Sequence, residues 1–244
     1  MNTFRCLLSE VLGTFWICFV SIGAILSVSS PFKSGIGLLG EALAYGLAWA
    51  IAVSVFGGIS KAHLNPAITL GMFAAKGIKL KRGVMYVISQ LLGATLAALV
   101  CNVVFPEEAV RTRLLGIPLP PETEPLPAWI SVQTILAIEF VLTFFLVMAY
   151  FGTVVDDRGR DLKIGGWAIG LVVTVGVLVA GPISGASMNP ARSFGPAAVF
   201  LHWDLHWCYW VAPLAAGLIV GLLYRFLLLE QDIEIVSEDE EEEA

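Results

Sequence analysis

Two copies of the triplet Asn-Pro-Ala interrupt this apolar chain, about half the chain length apart. Proline fixes its own φ and lacks an N–H, so it fits the first turn of a helix, and a preceding asparagine is a favourable N-cap. Each triplet, Asn65-Pro66-Ala67 and Asn189-Pro190-Ala191, therefore predicts the start of a helix. Both predicted helices are too short to cross a bilayer, which takes about 20 apolar residues.

Composition indicates that most of the chain lies in lipid. Of the 244 residues, 57% are hydrophobic and 14% are charged, whereas a soluble domain has about 25% charged residues. The apolar runs are continuous instead of alternating, which favours helices over a barrel. Six membrane spans are predicted, at about 5–28, 36–58, 82–104, 130–152, 164–182 and 205–229. The first is interpreted as a retained span, not as a cleaved signal peptide.

The two halves of the chain repeat one order of elements: two spans, a half-helix and a third span. An odd number of spans per half inverts the second half in the membrane, so the predicted fold is an all-α membrane protein with six spans and two re-entrant half-helices in an inverted repeat. We expect one channel domain over 1–229, with repeat one at about 1–104, a linker loop at 105–128 and repeat two at about 129–229. An acidic, solvated cytoplasmic tail is predicted at 230–244, and it carries much of the net charge of −6.

The distribution of basic residues predicts the orientation. With both termini inside, ten of the 14 Lys and Arg residues lie on the inner side and four on the outer side, as the positive-inside rule favours. The inner set is Arg5, Lys61, Lys76, Lys79, Lys81, Arg82, Arg158, Arg160, Lys163 and Arg225, and the outer set is Lys33, Arg111, Arg113 and Arg192.

The chemistry of the half-helices predicts a pore. A helix that begins at the bilayer centre has free N–H groups and a positive dipole end there, and the amides of Asn65 and Asn189 add donors. Two such ends that meet from opposite faces donate hydrogen bonds to a passing oxygen and repel cations and protons. We therefore expect Asn65 and Asn189 to face a continuous water-filled path for neutral solutes.

Four ionisable residues, two beside the triplets and two within predicted spans, have two interpretations each. Arg192 is costly within a re-entrant segment unless it faces water or a partner, so a pore role is favoured over one that pins loop carbonyls. His63 is expected to face the inner vestibule, the alternative being loop packing. Glu10 and Glu139 lie within spans and could form a proton relay, but we favour acceptors for the backbone N–H groups of the re-entrant loops.

These motifs resemble those of the aquaporin (major intrinsic protein) family over nearly the whole chain, most specifically at Gly181-Pro182-Ile183-Ser184-Gly185-Ala186-Ser187-Met188-Asn189-Pro190-Ala191-Arg192-Ser193-Phe194-Gly195-Pro196-Ala197. The resemblance implies a pore in each protomer and a homotetramer. We expect it in the plasma membrane, multi-pass with both termini cytoplasmic, with membrane lipid, water and small neutral solutes as its partners.

The resemblance also implies a selectivity filter of Tyr45, Val177, Ala186 and Arg192. Strict water channels of the family have Phe, His, a small polar residue or Cys, and Arg at these places, so the filter here is expected to be wider and less polar. Other positions are similar to the water type, namely Ser193, Ala197, Tyr209 and Trp210. Lys61 stands where the family usually has Gly, and we favour a side chain that extends to water over one that gates the vestibule.

Several functions compete at this point. The favoured one is a passive channel for water, with some permeation of small neutral solutes, and the alternative is a facilitator that prefers glycerol, ammonia or a neutral metalloid acid. A coupled carrier would use Glu10 and Glu139 at the midplane, and a scaffolding protein would use the tail. No enzyme activity, cofactor, metal or nucleic-acid partner is expected, because the chain has no nucleophile–base pair and its four Cys are scattered.

Overall fold

The computed structural model describes residues 2–29, 31–32, 35, 37–119 and 130–229, and these ranges contain α-helices and no β-strand. In order, the helices are α1 (Thr3–Ser27), α2 (Gly37–Ser60), α3 (Pro66–Ala74), α4 (Leu80–Val104), α5 (Glu107–Thr112), α6 (Val132–Tyr150), α7 (Asp157–Arg160), α8 (Gly165–Ser184), α9 (Pro190–Phe200) and α10 (Cys208–Leu223). Six of them, α1, α2, α4, α6, α8 and α10, are long and apolar enough to cross a membrane. The outward faces of these spans expose Leu, Ile, Val and Phe side chains, as contact with lipid requires.

The two short helices begin at the predicted residues. α3 starts at Pro66 after the N-cap Asn65, and α9 starts at Pro190 after the N-cap Asn189. Their lengths of nine and eleven residues confirm that neither crosses the bilayer.

Helix packing follows the predicted inverted repeat. In the first half, α1 packs against α2 and α4; in the second half, α6 packs against α8 and α10 in the same way. Each half-helix packs against the last span of the other repeat, α3 on α10 and α9 on α4, while α2 packs on α8. The two repeats are therefore interlocked, and the tips of α3 and α9 meet between them.

Some elements differ from the predicted loops and spans. The linker contains α5 and a 3₁₀ turn at Leu114–Gly116, where a loop was predicted. α6 and α10 each continue as a π-helical turn, over Phe151–Val155 and Tyr224–Leu228. The predicted acidic tail at 230–244, the linker residues 120–128 and Lys33 lie outside the described residues.

Candidate functional site

The two asparagines cap their own half-helices and bind the opposite loop. Asn65 Oδ1 accepts from the Ala67 N–H at 2.8 Å, and Asn189 Oδ1 accepts from the Ala191 N–H at 3.0 Å. The Asn65 amide donates to the Met188 carbonyl and the Asn189 amide donates to the Leu64 carbonyl, both at 2.9 Å. This exchange holds the two positive helix ends tip to tip and leaves each amide with one further N–H to donate.

Glu10 supports the first re-entrant loop from α1. Its Oε1 accepts from the Ser60 hydroxyl at 2.7 Å and the His63 N–H at 2.9 Å. Its Oε2 accepts from the Leu64 N–H at 2.7 Å and the Gln90 amide at 2.8 Å. One side chain thus satisfies two backbone donors that would otherwise be buried without partners.

Glu139 does the same for the second loop from α6. It accepts from the Ser184 hydroxyl at 2.7 Å and from the Ser187 and Met188 N–H groups at 2.9 and 2.8 Å. In the part of the chain that the structure describes, no side-chain amide takes the role that Gln90 has beside Glu10. The two loops are equivalent in plan and differ in this one partner.

Both loops turn through left-handed backbone. Ala62 and Leu64 have φ values of 47° and 52°, and their equivalents Ala186 and Met188 have 44° and 56°. Lys61, with φ of 65°, occupies the place that Gly185, with φ of 80°, has in the second loop. Left-handed backbone has a higher free-energy cost for a lysine than for a glycine, because lysine has a Cβ. The Tyr150 hydroxyl donates to the Lys61 carbonyl at 2.8 Å and secures the turn.

Three of the four predicted filter residues line one cavity on the predicted outer side. The cavity has a volume of about 490 Å³, and Tyr45, Val177 and Arg192 are among its lining residues. Ala186 is not among them, although its neighbour Gly185 is. The Arg192 guanidinium carbon lies 5.9 Å from the centre of the Tyr45 ring. We name this cavity the outer vestibule.

Arg192 retains donors that nothing else in the described residues uses. The residue is 2% exposed, and its buried Nε and Nη1 atoms have no hydrogen-bond partner there. A buried donor without a partner costs free energy unless water or a solute binds it. This arrangement favours the pore interpretation of Arg192 over the one in which it pins loop carbonyls.

His63 packs within the protein on the other side of the asparagines. It is 2% exposed, its Nδ1 lies 3.2 Å from the Thr69 hydroxyl, and its ring contacts the Tyr86 and Tyr150 rings edge to face. The passage between the triplets is also tight, because Asn65 and Asn189 are both 0% exposed. The asparagines are brought together as predicted, but in this conformation they do not face an open water-filled path.

Several residues of the site were missed by the sequence analysis. Ser60 and Ser184 stand five positions before their asparagines, so a comparison of the two repeats could have found them. Gln90 is a polar residue within a predicted span, which is itself a signal of function or support. Glu41 and Arg113 both line the outer vestibule, and no sequence signal joins them.

On the predicted inner side, Asp156 caps the short turn that follows α6. It accepts from the Arg158 guanidinium at 2.6 Å, and this hydrogen bond holds the pKa of the Asp156 carboxyl below its usual range. Arg158 also donates to the Leu228 carbonyl at 2.7 Å. The inner loop is thereby fixed to the end of the last span.

Comparison with known proteins places the chain in a family. The family model described as major intrinsic protein matches residues 1–224. The chain is 40% identical to aquaporin TIP4-4 of Zea mays over 93% of its own length and 88% of the relative, and 37% identical to aquaporin-8 of Mus musculus over 93% and 83%. The crystal structure of the aquaglyceroporin from Plasmodium falciparum has the same fold, with a TM-score of 0.76, 23% identity and coverage of 93% and 97%.

Proposed function

The chain belongs to the major intrinsic protein family, and from this premise we propose that it is a passive membrane channel that conducts water and small neutral solutes and excludes protons and ions. Its relatives are named aquaporins. The observation that carries the proposal is the meeting of two helix N-termini, each capped by an asparagine that is bound to the opposite loop. Because both asparagines are fully buried, conduction requires small side-chain displacements at this point.

Ion exclusion follows from the same geometry. The positive ends of α3 and α9 face each other, and Arg192 adds a full positive charge on the outer side. A cation that reaches these helix ends loses hydration and meets donors instead of acceptors, while a neutral molecule exchanges water hydrogen bonds for those of the protein. We infer that the pore-lining set is Asn65, Asn189, Arg192, Tyr45 and Val177, with Ala186 beside it and His63 on the inner side.

The test is stopped-flow light scattering on proteoliposomes. Reconstituted protein should shrink the vesicles in a sucrose gradient at least about tenfold faster than empty vesicles, with the low activation energy of a pore, and should leave a pH gradient intact. Shrinkage at the rate of empty vesicles would remove the proposal. The variant Glu107→Gln is a suitable control protein, because Glu107 pairs with Arg111 on the exposed outer surface.

A facilitator that prefers solutes is the second candidate. Val177 lines the outer vestibule where strict water channels have a histidine, and Ala186 is small and apolar. A wider, less polar filter admits solutes larger than water. Glycerol and ammonia uptake by the same vesicles separates the two candidates. If water flux is rapid but solute uptake is no faster than through lipid alone, the protein is a water channel and not a solute facilitator.

The remaining alternatives have less support. A coupled carrier needs free ionisable groups at the midplane, whereas Glu10 and Glu139 are engaged by four and three hydrogen bonds. Saturable flux that depends on an ion gradient would favour the coupled carrier. A scaffolding role of the tail would appear as a partner lost on deletion of 230–244 while flux is kept.

The assembly and location are part of the proposal. We infer a single channel domain over 1–229 with repeats at about 1–104 and 129–229, which the matching helix contacts of the two halves support. We propose a homotetramer in the plasma membrane with both termini cytoplasmic. Native mass measurement in detergent tests the homotetramer, and the location of a fluorescent fusion protein tests the plasma-membrane assignment.

A further inference from the structure

An ion pair at the rim of the outer vestibule lies outside the proposed set of pore-lining residues. Glu41 Oε1 and Arg113 Nη2 lie 3.4 Å apart, with side chains that are 15% and 42% exposed. Glu41 stands on α2 four residues before Tyr45, so the two side chains occupy one helix face, with Glu41 one turn further out. Both Glu41 and Arg113 line the same cavity as Arg192.

The segment that carries Arg113 is fixed over the vestibule. Pro118 and Leu119 approach Gly185, where an added Cβ would lie 2.8 Å from the Pro118 Cα. Gly185 is the C-cap of α8 and directly precedes Ala186. The segment is therefore packed against the filter loop at one end and paired with α2 at the other.

The chemistry of the vestibule is complementary to molecules that both donate and accept hydrogen bonds. Arg192 lines the vestibule, and two of its guanidinium nitrogens are buried without a hydrogen-bond partner among the described residues. A carboxylate has two oxygens with about four acceptor positions, and in the described chain Glu41 uses one oxygen in one long contact with Arg113. Arg192, whose side chain can only donate hydrogen bonds, and Glu41, whose carboxylate accepts them, thus line a single cavity next to the apolar side chain of Val177.

We propose that Glu41 is a specificity-determining residue that accepts hydrogen bonds from hydroxyl- or amide-bearing solutes as they leave bulk water, while Arg113 positions it. A polyol or urea that reaches Val177 must shed water, and the Glu41 carboxylate and the Arg192 guanidinium replace the lost acceptor and donors. A water molecule loses fewer hydrogen bonds than a polyol or urea when it enters the filter, so its permeation depends less on Glu41. The inference rests on the proposed channel function and specifies the class of solute that the same pore favours.

The test compares glycerol and urea permeability with water permeability in proteoliposomes that contain the full-length protein. We expect Glu41→Leu to lower the glycerol-to-water ratio by about tenfold, which corresponds to about 1.4 kcal/mol, with water permeability within about twofold of the wild type. Glu41→Gln keeps one acceptor oxygen and should give an intermediate ratio. Arg113→Gln should have a smaller effect than Glu41→Leu. The control Glu107→Gln removes an exposed acid outside the vestibule and should leave the ratio unchanged.

Each contrary result overturns the inference. An unchanged ratio in Glu41→Leu, including a parallel loss of water and solute flux, would show that the carboxylate does not select. An Arg113→Gln effect as large as that of Glu41→Leu would show that the ion pair only holds the loop. Failure of the wild type to conduct water or solute would instead remove the channel function itself.

Discussion

Glu10 and Glu139 are each an acceptor for a loop that has no helix or strand to satisfy its backbone. A buried N–H without a partner costs about 1–3 kcal/mol, and each loop presents two such groups to one carboxylate. The difference between them is Gln90, whose amide donates to Glu10 and to the Thr69 hydroxyl and whose Oε1 has no partner among the described residues. That spare oxygen makes the first loop more tolerant of change than the second.

We expect Glu139→Gln to destabilise the protein more than Glu10→Gln. A glutamine places an NH₂ group against donors, and at position 10 the Gln90 amide can rotate and accept from it, with the loss of its hydrogen bond to Thr69 as the smaller cost. At position 139 no such partner stands in the described structure, so the loss should reach about 2–3 kcal/mol. The midpoint of thermal unfolding in detergent measures both variants, and equal midpoints would contradict the role assigned to Gln90.

The filter residues give a second prediction at this scale. Val177→His with Ala186→Cys restores the residue types of strict water channels and should lower glycerol permeability at least about tenfold while water permeability stays within about threefold. An imidazole narrows the opening and adds a donor that water satisfies more readily than a polyol. Each single variant is the control for the double variant. A double variant with the wild-type ratio would show that selection lies elsewhere.

Helices meet at glycines where the half-helices pass the spans. At Gly217 of α10, an added Cβ would overlap the carbonyl of Ala67, the last residue of the first triplet, so α3 can sit here only against a glycine. Gly57 of α2 has open space around it instead. Gly217 therefore stands at a helix–helix contact, whereas Gly57 stands on an open face of α2.

We expect Gly217→Val to displace α3 and abolish most water flux, and Gly57→Val to leave flux unchanged. Overpacking against backbone costs about 1–3 kcal/mol, and the displaced atoms adjoin Asn65. Flux per reconstituted protein and unfolding midpoints measure both variants. Full flux through Gly217→Val would mean that α3 and α10 are not in close contact.

The elements themselves were predictable to the extent that apolar length and N-caps determine them. The span predicted at 36–58 is Gly37–Ser60, and both half-helices start at the predicted prolines. The π-helical turns and α5 were not predicted, because no apolar periodicity or cap distinguishes them. The Glu41–Arg113 pair was also missed, since its members stand 72 positions apart and meet only through tertiary packing. Whether the passage past the asparagines is open depends on displacements that residue types do not specify.

At the scale of the whole molecule, the inverted repeat places chemically different groups on the two sides of one barrier. Each half contributes a loop, a glutamate and a half-helix in the same plan, yet the predicted outer side has Arg192, Glu41 and Arg113 around its cavity. The predicted inner side has most of the other basic residues. The direction of the chain in the membrane therefore decides which solution meets the filter first.

Cysteine labelling tests this direction. The four native cysteines, Cys6, Cys18, Cys101 and Cys208, are all buried, so a new surface cysteine reports its own side. Asp204, with 84% of its side chain exposed, stands on the predicted outer surface, and Arg160, with 59% exposed, on the inner surface. An impermeant maleimide should label Asp204→Cys in intact cells and Arg160→Cys only after permeabilisation. The reverse pattern would contradict the positive-inside assignment and place the vestibule with Arg192 on the cytoplasmic side.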